Sequence, residues 1–419
     1  MIHVYRFFVS HFFTNLPNTK YKLLSQILNL GDGWIVKDIL VNESFKEVDI
    51  FIEYIKSTGT CPSMKTECKI YDYRDVRRFR HLDLFEYKTF INAKLPRVIN
   101  DKSEVNTIDL SWAGARVSYT YLFESRVIEA LEMSKNQTKT AHFFKISFDI
   151  VHSIMQRAVS RGLKRRCLDG IHTICLDEKS ISNGQKYMTV LSDPISKCVL
   201  DIIEGRKIED AQELLTCTLS PSQLSKIERV NMDMWQSYMT AVEEVIPQAD
   251  IAHDRFHTSK YLNNAVNDVR KQEVGEKVLL KNTKYIFLKN KKNWTEAQAL
   301  KFEEINQINL KTSQAWLIKE NFKGIYEQGR KELCLEYFKQ WYISILDANI
   351  DPMIKVADTL LRHLKGIVNS AVSDITNSMA ENLNSQIQVV KSVGRGFANV
   401  NGYRNSILFF QGKLSLFPF

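Results

Sequence analysis

The 419-residue chain has no run of about 18 apolar residues, the length a helix needs to cross a bilayer, so no membrane span is expected. An export signal is also missing. The apolar stretch at 6–13 is broken by Ser10 and His11, runs into Thr14 and Asn15, and has no small-residue cleavage site. The seven cysteines, at 61, 68, 167, 175, 198, 217 and 334, are odd in number and scattered. They make a poor disulfide framework and fit a reducing, cytoplasmic compartment. Cys61 and Cys68 stand seven positions apart and no second pair follows before Cys167, so spacing alone places no zinc. With 8 prolines, 16 glycines, 44% hydrophobic and 25% charged residues, the composition is that of a globular protein of two to four domains, not a disordered or fibrous chain. Acid is the scarcer charge. The net +9 is compatible with a polyanionic partner and does not identify one.

The basic excess is concentrated. Between 134 and 169, Lys135, Lys139, Lys145, Arg157, Arg161, Lys164, Arg165 and Arg166 face only Asp149 and Asp169, a local +6. After Glu381 come Lys391, Arg395, Arg404 and Lys413 with no acid. The first run has helical structure behind it: a short helix over 137–144, a turn at 145–147 with Ser147 as N-cap, and a second helix over 148–163 with Gly162 near its end. Ile150, Val151, Ile154, Ala158 and Val159 recur at helical spacing and face inward. His152, Ser153, Gln156, Arg157 and Ser160 take the other face, ahead of Lys164, Arg165 and Arg166. A helix-turn-helix with its second helix in a major groove has this pattern, and so does an ordinary helical hairpin.

Towards the N-terminus, 1–20 reads as a leader, 21–30 as helix-like, and 33–40 and 47–54 as strands. Residues 61–98 read as short strands crossed by Arg74, Arg77, Arg78, Arg80, Lys88, Lys94 and Arg97, against Asp72, Asp75, Asp83 and Glu86.

From 171 the pattern becomes strand-rich. Strands at 171–176, 186–191 and 198–203 precede a helix at 208–219, a strand at 227–232, a helix from Trp235 and a strand at 250–252. That is the order of a ribonuclease-H-like core, whose first and fourth strands are neighbours, which sets Asp177 beside Asp233. Two adjacent carboxylates repel unless a cation lies between them. A third acid completes a site for two metal ions about 3.5–4 Å apart, and Glu381, in a helix expected over 371–391 with Asn382, Asn384, Ser385 and Gln386 around it, is the candidate. Asp254, which ends the fifth strand, is the rival to Asp233, and His257 is a second-tier candidate beside it. The 148 positions from Asp233 to Glu381 exceed one strand and one helix. An all-helical insertion fills them, with Leu300, Phe302, Ile305, Trp316, Leu317, Phe338 and Trp341 as its core.

Several stretches together match a known group. They are Ser147–His152 with Gly162–Arg166, Leu176-Asp177-Glu178-Lys179-Ser180, Asp233-Met234-Trp235, Asp254-Arg255-Phe256-His257, Ala380-Glu381-Asn382-Leu383-Asn384-Ser385 and Gly394-Arg395-Gly396-Phe397. From about residue 21 onward the chain resembles the Asp-Asp-Glu (DDE) transposases of bacterial insertion sequences, in the ISL-three group. The resemblance implies a DNA-cutting and strand-joining enzyme with Asp177, Asp233 and Glu381 as metal ligands, holding two Mg²⁺ ions with Mn²⁺ as a substitute. The group carries a zinc-binding segment ahead of its helix-turn-helix. Here the corresponding positions hold Cys61, Met64, Asn100 and Ser103, one ligand of four, so no bound zinc is expected.

The expected architecture is therefore mixed α/β: a leader and small α+β segment (1–54), a degenerate zinc-ribbon-like segment (55–117), a helix-turn-helix (118–169), and a ribonuclease-H-like core (170–272 and 371–419) split by a helical insertion (273–370). The expected partner is double-stranded DNA, as terminal inverted repeats and as target, bound by a homodimer or larger assembly without any membrane, in the cytoplasm at the nucleoid. His152, Gln156, Arg157, Arg161, Lys164, Arg165 and Arg166 are the candidate contacts of the helix pair; Arg255, Lys391 and Arg395 are candidates for backbone phosphates. The alternatives are an inactive remnant that only binds specific DNA and a structure-specific nuclease with the same core.

Overall fold

The computed structural model describes residues 24–114, 116–182, 186–275, 280–289, 291–306, 310–373, 378–393 and 399–419. Arg395 and the Glu381 side chain lie outside the described residues. The chain divides into two compact units, one ending at Arg165 and including Ser415–Phe419, the other Arg166–Leu414.

The first unit is built on a six-stranded sheet: β1 (Trp34–Asn42), β2 (Glu47–Tyr54), β3 (Thr58–Thr60), β4 (Glu67–Arg80), β5 (Lys88–Ile99) and β6 (Val105–Thr107). The order is β1-β2-β5-β4-β3, with β6 on β5. Two differences from the sequence reading follow. The short strands expected over 61–98 are two long ones, β4 and β5. The break expected at 54/55 is no break in the sheet, because β2 pairs with β5 in parallel, Val48 opposite Thr89 and Ile52 opposite Ala93. The physical reason is that Val48, Ile50 and Ile52 alternate along β2 and need cover, which a β1–β2 hairpin alone does not supply. Phe79, Trp34 and Trp112 form the aromatic centre, with Phe79 and Trp34 edge-on to Trp112 at 4.9 and 5.5 Å.

The positions matched to zinc ligands lie at two turns. Cys61 follows β3, where its N–H donates to Thr66 O and its thiol meets the Ser63 hydroxyl at 3.2 Å. Asn100 follows β5, its Oδ1 accepting from the N–H groups of Lys102 and Glu104. Hydrogen bonds within each turn tie down both backbones.

Helices α1 (Tyr121–Ser134), α2 (Gln137–Phe144) and α3 (Phe148–Arg165) follow the sheet. Asn136 Oδ1 caps α2 by accepting from Lys139 N–H. Lys145 then adopts a left-handed conformation, and Ser147 Oγ accepts from Ile150 N–H. A cap, a left-handed residue and a second cap within twelve positions leave no room for anything but a tight turn. Val151, Ile154, Ala158 and Val159 are buried, as their spacing predicts; Ile150 is only half-buried, and Met155 joins the buried face.

The second unit begins with a five-stranded sheet, β7 (Thr173–Ser182), β8 (Lys186–Asp193), β9 (Cys198–Glu204), β10 (Arg229–Met232) and β11 (Asp250–His253), ordered β11-β10-β7-β8-β9. β7, β8 and β9 are mutually antiparallel, while β10 runs parallel to both β7 and β11. The first and fourth strands are neighbours, as expected. Helices α4 (Ile208–Thr218), α5 (Pro221–Leu224) and α6 (Gln236–Val245) join this layer, and Ala211, Leu214, Leu215, Tyr238, Ala241 and Val242 share its core.

Between β11 and the last helices lies an all-helical stretch: α7 (Arg255–Val274), α8 (Lys284–Leu288), α9 (Glu296–Asn306), α10 (Lys311–Phe322), α11 (Lys331–Ala348), α12 (Asp351–Arg362) and α13 (Leu364–Ala371). Phe302, Ile305, Trp316, Phe338 and Trp341 are in its core. Leu300 and Leu317, expected there too, are exposed at 64% and 46%. Leu317 lies between buried Trp316 and Ile318 and Leu300 two positions before buried Phe302, and the 3.6-residue period turns each outward. Helices α14 (Ser378–Val393) and α15 (Val400–Gln411) follow. Arg404 on α15 ties it to edge strand β9 through a double hydrogen bond to Asp201, both contacts 2.6 Å.

Candidate active site

The parallel pairing of β10 with β7 sets Arg229 opposite Thr173 and Asn231 opposite Cys175. Carried two positions further, that offset sets Asp233 level with Asp177. The two strands end differently there. β10 stops, because Asp233 Oδ1 accepts from Trp235 N–H at 3.1 Å and the chain turns into α6. β7 runs on to Ser182 against β8, so Asp177 sits within its strand and not at the end expected from sequence. Its Oδ1 accepts from the N–H of Glu178 at 2.7 Å.

The electrostatics match the geometry. Burial raises the Asp233 carboxyl above the ordinary carboxylate range, and the negative charges of Asp177 and Glu178 push the same way, against the opposing effects of His257 and the Trp235 N–H. Such a cluster destabilises the fold unless something cationic shares it. Among the described residues no three His, Cys, Asp or Glu side chains stand close enough to hold a metal ion, and the Glu381 side chain is not one of them.

Asp254 is also level with Asp233, since β10 and β11 pair Met232 with His253. Its carboxylate accepts from the backbone N–H two residues on, as that of Asp233 does. Asp254 is buried and caps α7, accepting from Phe256 N–H at 2.8 Å, while its own N–H donates to Met232 O. His257 lies one turn into α7 and is half-buried.

The basic neighbours are Lys179 and Lys391. Burial lowers the Lys179 ammonium from its usual value, Asp177 opposes this, and Lys391 adds to it. Lys391 on α14 donates to Ser180 O at 3.3 Å, which fastens the helix that carries Glu381 to β7. Arg255 points into its own unit, donating to Ser370 O at 2.9 Å and stacking on Tyr326.

In the first unit, His152 bridges Gln137 and Gln156 at 3.1 and 3.0 Å and stacks on Phe148. Gln156, Lys164 and Arg165 are exposed, and Arg165 Nη1 donates to Phe417 O at 2.7 Å. Arg161 turns inward to Glu124, which is fully buried, and to Leu416 O. Arg157 packs against Gly114. Arg166, which opens the second unit, donates to Leu200 O at 2.6 Å. Position along the helix placed all seven together; the tertiary partners separate them.

Glu178, Lys179 and Arg206 lie beside the candidate acids and receive no role from sequence. The doubled acid at 177–178 was a readable signal for the first. Nothing local announces Arg206, whose partners come from other strands.

Asp177 and Asp233 thus stand level on adjoining parallel strands of a mixed sheet, ahead of an all-helical stretch. A family model described as a transposase, of the DDE ISL3 type, matches residues 174–407. The chain is also similar to the transposase for insertion sequence element IS1001 of Bordetella parapertussis, at 25% identity over 377 residues, 87% of this chain and 91% of that protein. The chain belongs to the ISL3 family of DDE transposases. Enzymes of this kind are polynucleotidyl transferases acting in DNA transposition, and they generally use divalent metal ions. Among the described residues no helix is long and apolar enough to cross a membrane.

Proposed function

We propose that the chain binds the terminal inverted repeats of its insertion sequence, cleaves a phosphodiester at the element's end and transfers the freed strand to target DNA. The observation that carries this reading is the level placement of Asp177 and Asp233 on adjoining parallel strands, in the strand order of a ribonuclease-H-like core.

The donors fit divalent metal. Asp233 is raised by burial and by the negative charges of Asp177 and Glu178, a repulsion that a cation relieves. Asp177, Asp233 and Glu381 would hold the ions, Mg²⁺ in this reading. Bound there, the metal lowers the pKa of the attacking water and neutralises charge on the leaving oxygen, so no side-chain nucleophile is needed. The chain's own part is positional. β7 and β10 hold two carboxylates at fixed separation, the Trp235 N–H orients one Asp233 oxygen, and Lys391 fastens α14 to β7. In the first unit, α2 and α3 form the reading head, with Gln156, Lys164 and Arg165 as its outer contacts and a homodimer or larger assembly presenting two heads.

The test is cleavage and joining of DNA that carries the element's ends, with Mg²⁺, by the parent and by Asp177→Asn. The parent nicks and joins, and the variant loses about 10³-fold or more while still binding, since metal-site charge stabilisation is worth several kcal/mol. Equal cleavage by both proteins would remove Asp177 from the site. Salt-sensitive binding without cleavage by the parent would leave a DNA-binding protein.

A further inference from the structure

Arg206 has no part in the reading above, yet the fold builds a seat for it. It follows β9 at a turn that only glycine makes without strain: Gly205 has φ +105°, and a Cβ there would lie 2.1 Å from Asp210 Oδ2. The turn is fixed on three sides. Gly205 N–H donates to Tyr187 O at 2.8 Å, Gly205 O accepts from the Thr189 hydroxyl at 2.8 Å, and Asp210 accepts from Lys207 N–H at 2.8 Å. It delivers the guanidinium onto the Tyr187 ring, 3.9 Å from the centroid, and 5.0 Å from that of Trp235. Nη1 lies 3.0 Å from Glu178 Oε2, and Trp235 Nε1 donates to Arg206 O at 3.3 Å. The arginine thus joins the residue after Asp177 to the residue two beyond Asp233.

An ion pair with partners 36% and 25% exposed contributes little by itself and requires neither a glycine turn nor two aromatic rings. The arrangement does two other things. Arg206 pairs with Glu178 and so balances one of the negative charges beside Asp177 and Asp233. The rings and the carboxylate hold the guanidinium plane, so its remaining donors, of five in all, are oriented before a ligand arrives. A pre-oriented arginine fork matches the two oxygens of a phosphate.

We propose that Arg206 binds a backbone phosphate of the DNA strand within a few nucleotides of the bond cut at Asp177 and Asp233, with Glu178, Tyr187 and Trp235 holding its guanidinium in position. This rests on the proposed function and adds the contact that seats the strand.

The test uses the full chain in EDTA, so that binding is read without chemistry. Duplexes carrying the element's ends bear a single uncharged methylphosphonate at each successive position around the cleavage site. Parent, Arg206→Gln, Arg206→Lys and Asp177→Asn are compared, with thermal midpoints to check folding; Arg206→Lys keeps the charge opposite Glu178 if the glutamine variant does not fold. For the parent and Asp177→Asn, neutralising one phosphate near the cut weakens binding about 10-fold, the scale of a charge-assisted contact. For Arg206→Gln the same neutralisation costs less than about 2-fold, and Arg206→Lys falls between, having charge without a fork. A full penalty retained in a folded Arg206→Gln or Arg206→Lys protein, or no sensitive phosphate near the cut in the parent, overturns the contact. Coupling at Arg206 in a protein that binds but never cleaves with Mg²⁺ supports the contact and sinks the transposition chemistry. Cleavage without coupling sinks the contact alone.

Discussion

In the N-terminal unit, arginines that approach the interior meet acids or carbonyls. Arg161 meets Glu124, Arg78 takes Asp49 and Glu47 at 2.7 Å each, Arg97 pairs with Asp72, and Arg77 donates to Val117 O. In the unit that follows, Asp177 and Asp233 meet each other across two strands, with Glu178 alongside. The first arrangement spends charge on the fold. The second stores charge at a place where the fold alone gains nothing from it, and that difference separates structure from chemistry more reliably than net charge does. It also bears on the +6 segment, because Arg161 and Arg166 belong to the first arrangement, Arg157 packs against Gly114, and Gln156, Lys164 and Arg165 remain at the surface, Arg165 with a bond to Phe417 O.

The comparison breaks most visibly if one member is removed from each arrangement. Arg161→Ala leaves the Glu124 carboxylate, 0% exposed, without its cation, and costs about 3–5 kcal/mol of stability in the N-terminal unit. Asp233→Asn in metal-free protein acts in the opposite direction, because it removes a carboxyl that burial and like charge hold above its ordinary range. Its unfolding midpoint stays level or rises while cleavage is lost. Calorimetry of both variants in EDTA measures this. A destabilised Asp233→Asn, or an Arg161→Ala protein as stable as the parent, would contradict the division between spent and stored charge.

Acid sharpens the contrast by a smaller amount. Burial, with Arg80 beside it, lowers His81 to about 4, and burial with His363 beside it lowers His253 to about 4. Both folded values lie below the unfolded 6.5, so each neutral ring contributes stability that is present above pH 6.5 and is lost as pH falls towards 4. Between pH 7 and pH 5 each costs about 2 kcal/mol, at about 1.4 kcal/mol per bound proton per pH unit. Asp233 works the other way, contributing most in acid and losing its contribution as pH rises through its raised value. His81→Asn flattens the acid limb of the N-terminal unit alone. A midpoint for that unit that does not move between pH 7 and 5 in the parent protein counts against the assignment.

Much of the site was legible because its signals are local. Strands that run up to Asp233 and Asp254, and a helix pair punctuated by Asn136 and Ser147, are written in consecutive residues. What required the fold was long-range. The parallel β2–β5 pairing joins residues about forty positions apart, so the alternation along β2 gave no hint of its partner. Glu124, 37 positions before Arg161, turned an apparent surface cation inward. Asp254 stays level with Asp233 in the sheet, and only the fold showed that its carboxylate caps α7. Leu300 and Leu317 were read as core from hydrophobicity alone, and only their helical phase could have placed them outside.

The smallest expected effect concerns charge that is neither spent nor stored. Lys164 is exposed on the last turn of α3, so Lys164→Ala leaves stability nearly unchanged and weakens binding to specific and random duplexes alike. Removing one ammonium from a DNA phosphate reduces the slope of log K against log salt by about 1. Arg166→Met serves as the counterpart, since Arg166 donates to Leu200 O and burial holds its guanidinium below the usual value. It should shift the unfolding midpoint and leave the salt slope alone. Filter binding across a salt series, beside thermal melts, separates the two. A slope change with Arg166→Met and none with Lys164→Ala would mean that partners within the fold do not decide which members of the basic segment reach DNA.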